Sequence, residues 1–328
     1  MLSVRQLQEY AASQLHEDST DTRLATLILR WVNEAYQKVA SAATWKWLEA
    51  QEVLTYGNHG VGANTGFGVT YLPHRVHRLL SVWPGGRNYR EQVKIIGGWE
   101  LDALDPSMVA GSPADLLAVY GYYGVARDNP TAGVIACADA GLATLNVVIE
   151  GVDTNGLDAE ETVTIVAGGP TNSTTQFAAG PDGVRRCYIV EDPTTITGVP
   201  TIVTFSSGAT VIETLNYTNG EFVKEHLRTE LSPAPATGGA TYLTRYYKRP
   251  KQIRSNAEII PTPSEFDDLI TYAIDARLAA YQGGSRKDMA LVYEQMFRSR
   301  VQELKAWQNR QPGRMRGLRE LNRQVGGY

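Results

Sequence analysis

Two stretches near opposite ends of the chain repeat apolar residues at three- and four-residue steps, and the long interval between them does not. After Thr20 the stripe is Leu24, Leu27, Ile28, Trp31, Ala35 and Val39; further on it is Phe266, Leu269, Ile270, Ala273, Ile274, Leu278 and Tyr281. An amphipathic helix has to bury its stripe against another element. The simplest arrangement brings the two ends into one discontinuous domain, residues 1–126 plus 240–309, interrupted by a different domain at 127–235.

Local signals sharpen the ends. Ser3 with Gln6 reads as a capping box, and a second helix follows the HEDST segment, giving two antiparallel helices. Ser264 with Asp267, after Pro261 and Pro263, gives a capping-box-like start to the helix that Gly283 should close, with Asp267, Asp268, Asp275 and Arg277 on its polar face. Ser285 with Asp288 repeats the signal for a last helix to Asn309, whose stripe is Met289, Val292, Met296, Phe297, Leu304 and Trp307. The residues expected to pack these two helices are Phe266, Leu269, Ile270, Ile274, Leu278, Met289, Val292, Met296 and Phe297.

Between the ends the period shortens. Strands are expected at EVLTY, GVTYL, VHRLLSVW and ADLLAVYGYY, forming a small sheet fed by the helices. From 127 to 235 short strands such as ATLNVVIE, ETVTIV, RRCYIVE and PTIVTF alternate with Gly/Pro/Asn/Asp turns, the texture of an antiparallel, Ig-like sandwich. The 31 glycines of the 328 residues fit such a turn-rich insertion. Asn219-Gly220 predicts a hairpin, and LSPAPATGG reads as a linker. The fold class expected is therefore α+β, a helical bundle with a small antiparallel sheet, interrupted by an inserted all-β sandwich. The strands near 116–125 and 241–248 are expected to pair and close the insertion.

Composition excludes more than it specifies. A net charge of -4 gives no support to a general nucleic-acid or anionic-membrane binder. The N-terminus lacks the basic start and apolar core of a secretion signal, so a protein of the cytosol is expected, and no window approaches a membrane span. Cys137 and Cys187 are too few for a disulfide scaffold and too far apart for a CxxC metal site.

Catalytic motifs are missing. GVGANTG at 60–66 has glycine spacing for a flexible tip and does not open a helix, as a phosphate cradle would. DTNGLDAEE at 153–161 carries oxygen ligands but has its glycine at the fourth position, not the sixth that a calcium loop requires. His74 and His77, three apart in a strand, point to opposite faces. Asp267 and Asp268 are neighbours on a helix, about 100° apart. Asn172 and Asn216 fit the glycosylation acceptor pattern but lack a secretory context. No catalytic, cofactor or metal residue is expected. The segment 310–328 is lopsided in charge: Arg310, Arg314, Arg316, Arg319 and Arg323 stand against Glu320 alone. It reads as an extended tail that docks on a partner.

Taken together, DTRLATLILRWVNEAYQKVASAATWKWLE, GSPADLLAVYGYY and the run from YYKRP to VQELKAW resemble the head-to-tail adaptor proteins of tailed bacteriophages. That family has a helix pair ending in a WxWL stretch, a tyrosine strand, an "lP.ef.dlit..a" helix, a Gly-Gly turn and a long last helix. The resemblance covers roughly three fifths of the chain and leaves the insertion out. It implies a non-enzymatic virion protein at the neck, made in the host cytoplasm. Such a protein would form a ring, commonly of twelve copies, between the portal and the tail or nozzle proteins, with genomic DNA passing through unread. The tail would reach the portal, and the sandwich would face outward. Two other classes stand beside this one: a receptor- or glycan-binding virion protein acting through the sandwich, and an unrecognised hydrolase.

Overall fold

The computed structural model describes residues 3–16, 21–57, 68–84, 92–104, 116–167, 169–190, 196–233, 240–255 and 258–310. The chain divides into two compact units, one of residues 1–49 with 250–328 and one of residues 50–249.

The first unit is helical. Its N-terminal part holds α1 (Val4–Leu15) and α2 (Thr22–Ala42). Ser3 accepts a bond from the Gln6 amide at 3.2 Å, and the Gln6 side chain accepts from the Ser3 amide at 2.9 Å, the expected reciprocal cap. Asp21 caps α2 through the Arg23 amide at 2.8 Å. Leu24, Ile28, Trp31, Ala35 and Val39 are buried along one face. The two chain ends are then tied by hydrogen bonds. Asn33 donates to the Ile253 carbonyl at 2.7 Å and accepts from the Ile253 amide at 2.8 Å. Tyr10 donates to Asp275 at 2.8 Å. Gln308 donates to the Thr44 carbonyl at 2.8 Å and accepts from the Lys46 amide at 2.9 Å. Beside it Trp45 is fully buried, stacks on Trp47 with centroids 4.5 Å apart, and donates to the Val39 carbonyl at 2.6 Å.

In the second unit the first strands are β1 (Glu49–Tyr56), β2 (Val69–Tyr71), β3 (Val76–Pro84) and β4 (Lys94–Gly97). The short helix α3 (Gly98–Leu104) leads to β5 (Leu116–Tyr123). There follow β6 (Ile135–Asp139), β7 (Leu145–Val152), β8 (Asp158–Ile165), β9 (Thr171–Asn172) and β10 (Val184–Ile189). The last strands are β11 (Ile202–Ser207), β12 (Thr210–Asn216), β13 (His226–Ser232) and β14 (Ala240–Lys248). The first unit resumes with α4 (Asp267–Gln282) and α5 (Lys287–Arg310).

The strands form four sheets, ordered β1-β14-β3, β2-β13-β5-β4, β10-β7-β8 and β12-β11-β6-β9. The first two contribute to one core, with Leu54, Tyr56, Leu79, Val82, Leu117, Leu231, Tyr242 and Tyr246. The other two enclose a second core with Ile135, Cys137, Leu145, Ile149, Cys187, Phe205 and Leu215, a sandwich of facing sheets.

The helical bundle with a small sheet is not what the chain builds. Among the described residues fourteen strands in four sheets outweigh five α-helices, so the protein is mainly β. The reason lies in β13, HLRTELS, which is buried at every position although it carries His226, Arg228, Thr229 and Glu230. A central strand with that many polar residues has no apolar alternation to reveal it. It also takes the partner assigned to β14. β5 pairs antiparallel with β13, from Tyr123 opposite His226 to Leu116 opposite Ser232, and parallel with β4. β14 pairs with β3, so the segments 116–125 and 241–248 do not pair with each other.

Two turns also differ. Asn219-Gly220 does make a turn, with Gly220 at φ 62° and the Glu221 amide on the Asn216 carbonyl at 2.9 Å. The chain beyond it crosses to β10, where the Ile189 amide donates to the Phe222 carbonyl at 2.8 Å, instead of returning along β12. Ser264 does not cap α4. A 3-10 turn at Ser264–Phe266 precedes that helix and satisfies the Phe266 amide through the Pro263 carbonyl at 2.9 Å. Gly283 does end α4 with a positive φ of 65°.

Candidate interaction surfaces

α4 and α5 pack against each other. Phe266, Leu269, Ile270, Ile274, Leu278 and Phe297 are all buried. Phe266 also meets Trp307 edge to face at 5.5 Å. Met289, Val292 and Met296 are only partly covered within the chain: they are 45%, 43% and 44% exposed. They lie at i, i+3 and i+7, hence on one stripe of α5, and Leu291 on the same helix is 68% exposed.

The stripe runs into a groove between α4 and α5 lined by Asp268, Tyr272, Met296, Ser299, Arg300 and Glu303. Arg300 organises it. Its guanidinium bonds Asp268 at 2.9 Å and the Glu265 carbonyl at 3.1 Å, contacts Glu303, and lies 4.7 Å over the Phe266 ring. Glu303 beside it, followed by Asp268, raises the already high Arg300 pKa. Two carboxylates around one guanidinium leave the groove with one negative charge in excess. Sequence reading did not identify Arg300, because its role depends on Asp268 and Phe266 on another helix.

The arginine tail begins at the end of α5. Arg310 is the last described residue, and Arg314, Arg316, Arg319 and Arg323 lie outside the described residues, as do the glycine-rich 60–66 segment and the 234–239 part of the linker.

A second surface is the outward face of the β1-β14-β3 sheet. Tyr242, Thr244 and Tyr246 of β14 point into the core, which turns Leu243, Arg245 and Tyr247 the other way. Residues directly opposite share a face, so Trp83, Ser81 and Arg78 of β3 stand beside them. β1 adds Val53, 61% exposed, and Glu49 at its start by the same alternation. The face is thus aromatic, aliphatic and net basic.

The remaining candidates turn inward or locally. His74 accepts from the Glu225 amide at 3.0 Å. Burial, then the nearby Arg249 cation, holds its pKa below the usual histidine value. His77 stacks on Tyr122 with centroids 5.9 Å apart. Asp153 folds its own loop, accepting from the Asn155 and Leu157 amides at 2.8 and 2.9 Å. The Leu157 amide, ahead of Asn155, keeps its carboxyl below the ordinary range. Among the described residues no three His, Cys, Asp or Glu side chains are grouped to hold a metal.

A buried polar set joins the two cores of the second unit and escaped sequence reading. Tyr71 donates to Asp128, which is fully buried. The buried Arg228 lies 4.7 Å over Tyr120 and 5.9 Å from Tyr123. His226 and Glu213, both buried, meet at 2.9 Å. Taking polar groups out of water offsets much of what their pairing returns, so such a set adds little net stability.

Comparison with known proteins bears on this architecture. No curated protein matches the chain. Among solved structures, a chain of the infectious bursal disease virus VP2 subviral particle aligns at 8% identity with a TM-score of 0.13. That alignment covers 76% of this chain and 54% of that one, and at such a score it carries no argument. Residues 113–320, however, match the family described as SU10 adaptor protein. The match starts just before β5 and takes in the sandwich, β13, β14 and both C-terminal helices, well over half of the sequence. The chain belongs to the SU10 adaptor protein family, the phage head-to-tail adaptors.

Proposed function

We propose that this phage structural protein forms a ring at the neck of the virion, beneath the portal, joining capsid to tail around a channel for DNA. The observation that carries the reading is the stripe Met289, Val292 and Met296. A helix that buries Phe297, Val301 and Leu304 on its own chain leaves three large apolar residues partly in water one turn away, and such a stripe is suited to a partner. Neighbours in a ring use two different patches on each copy, which closes the assembly when the rotation permits. The arginines from 310 onward supply charge for docking on the portal. A net charge of -4 favours a wall that DNA slides past. The sandwich formed within 127–235 is in this reading an inserted domain that faces outward and leaves the channel to the rest of the chain. The role is one of assembly, with no substrate turned over.

The test is co-assembly with the portal, followed by native mass spectrometry. The reading expects a closed multiple of this chain on the portal and its loss when residues 311–328 are removed. A full-length chain that binds as single copies would overturn it.

A further inference from the structure

We infer that the α5 stripe and the groove at its end dock on the outward face of the β1-β14-β3 sheet of a second copy. The inference deepens the ring reading above and rests on it. The stripe offers Met289, Val292 and Met296, each a little under half exposed, and the groove offers Asp268 and Glu303 around Arg300. The sheet face offers Trp83, Leu243 and Tyr247 with Arg78 and Arg245. Tryptophan, tyrosine and arginine are the residue types that anchor protein interfaces, and methionine is enriched there as well.

The charges are opposite in sign: the groove has one carboxylate more than it has guanidiniums, while the sheet face has two cations, Arg78 and Arg245, against Glu49. Double-stranded DNA would use those cations but gain little from the aliphatic and aromatic residues between them, whereas a protein surface uses both. The two patches belong to different units and are different surfaces, so the contact is heterologous, the kind that builds rings.

The experiment uses the full chain assembled in particles, with Val53→Cys and Val292→Cys combined and oxidised with copper phenanthroline. The native Cys137 and Cys187 are completely buried, so the introduced thiols are the ones that react. The expected result is a disulfide ladder of several copies, absent from either single variant. Arg78→Glu should lower ring yield about tenfold, and adding Glu303→Arg should restore most of it.

Electron microscopy of the same preparations separates the outcomes. Rings without a ladder, or without rescue by the charge exchange, would overturn this pairing and leave the ring reading standing. An absence of rings in the unmodified particle would remove the ring reading and this inference with it. If Arg78→Glu reduced DNA retention while ring yield held, the sheet face would belong to nucleic acid and the inference would be wrong.

Discussion

Val292→Asp and Ile274→Ala separate a surface kept for a partner from a surface buried at home. Ile274 is completely buried and Val292 is 43% exposed. Shortening a buried isoleucine to alanine costs about 2–5 kcal/mol, so Ile274→Ala should lower the stability of the unassembled chain by that much. Val292→Asp should shift it by no more than about 0.5 kcal/mol, as surface changes do. Assembly should respond in the opposite order. Full burial of such side chains yields about 1.5–3 kcal/mol each, so Met289, Val292 and Met296, still a little under half exposed, hold roughly 0.7–1.3 kcal/mol apiece in reserve. Per contact that is about 2–4 kcal/mol, or some thirtyfold to a thousandfold in association. Val292→Asp removes its share and adds a carboxylate that must be desolvated. Urea unfolding of the free chain and ring yield on the portal are the two readouts. If Val292→Asp destabilised the free chain as much as Ile274→Ala, the stripe would be internal packing and the reasoning refuted.

Other perturbations address the fold. Gly183→Ala places a Cβ 1.8 Å from the Ala178 carbonyl oxygen, a backbone clash whose cost should exceed the about 1–3 kcal/mol of ordinary overpacking; the thermal midpoint of the variant checks it. Gln308→Ala strands the Thr44 carbonyl and Lys46 amide and should cost about 1–3 kcal/mol by chemical denaturation. His74 has a depressed pKa in the folded protein, so its contribution is present above the ordinary value of 6.5 and is lost as pH falls through the folded value. Calorimetry from pH 7.5 downward should show the melting temperature falling below that point, less steeply in His74→Asn. Asp275 has a raised pKa from burial, opposed by the Tyr10 hydroxyl. Its contribution is therefore full below the ordinary 3.8 and fades as pH rises through the folded value. Tyr10→Phe removes the opposing bond and should move that loss to higher pH.

What sequence could tell depended on whether a signal was local. The Ser3 and Gln6 cap, the α2 stripe and the Gly283 stop are written in residues a few positions apart, and the structure contains each of them. β13 could not be read in the same way. Its His226, Arg228 and Glu230 are tolerated in a central strand because Glu213, Tyr120 and neighbouring strands meet them from elsewhere in the chain, and one missed central strand reassigned the pairing of β5 and β14. The α5 stripe shows the converse. Met289, Val292 and Met296 have the spacing of a buried face, and periodicity alone does not say whether that face is buried by the same chain. Arg300 and the Trp83, Leu243, Tyr247 face were out of reach because each arises from side chains brought together only by helix or strand pairing.

The most direct measurement is an electron-microscopy map of the phage neck. The account predicts copies of this chain around the symmetry axis between portal and tail, with the Met289, Val292 and Met296 stripe covered by the adjacent copy. Copies away from that axis, or on it with the stripe facing solvent, would contradict it.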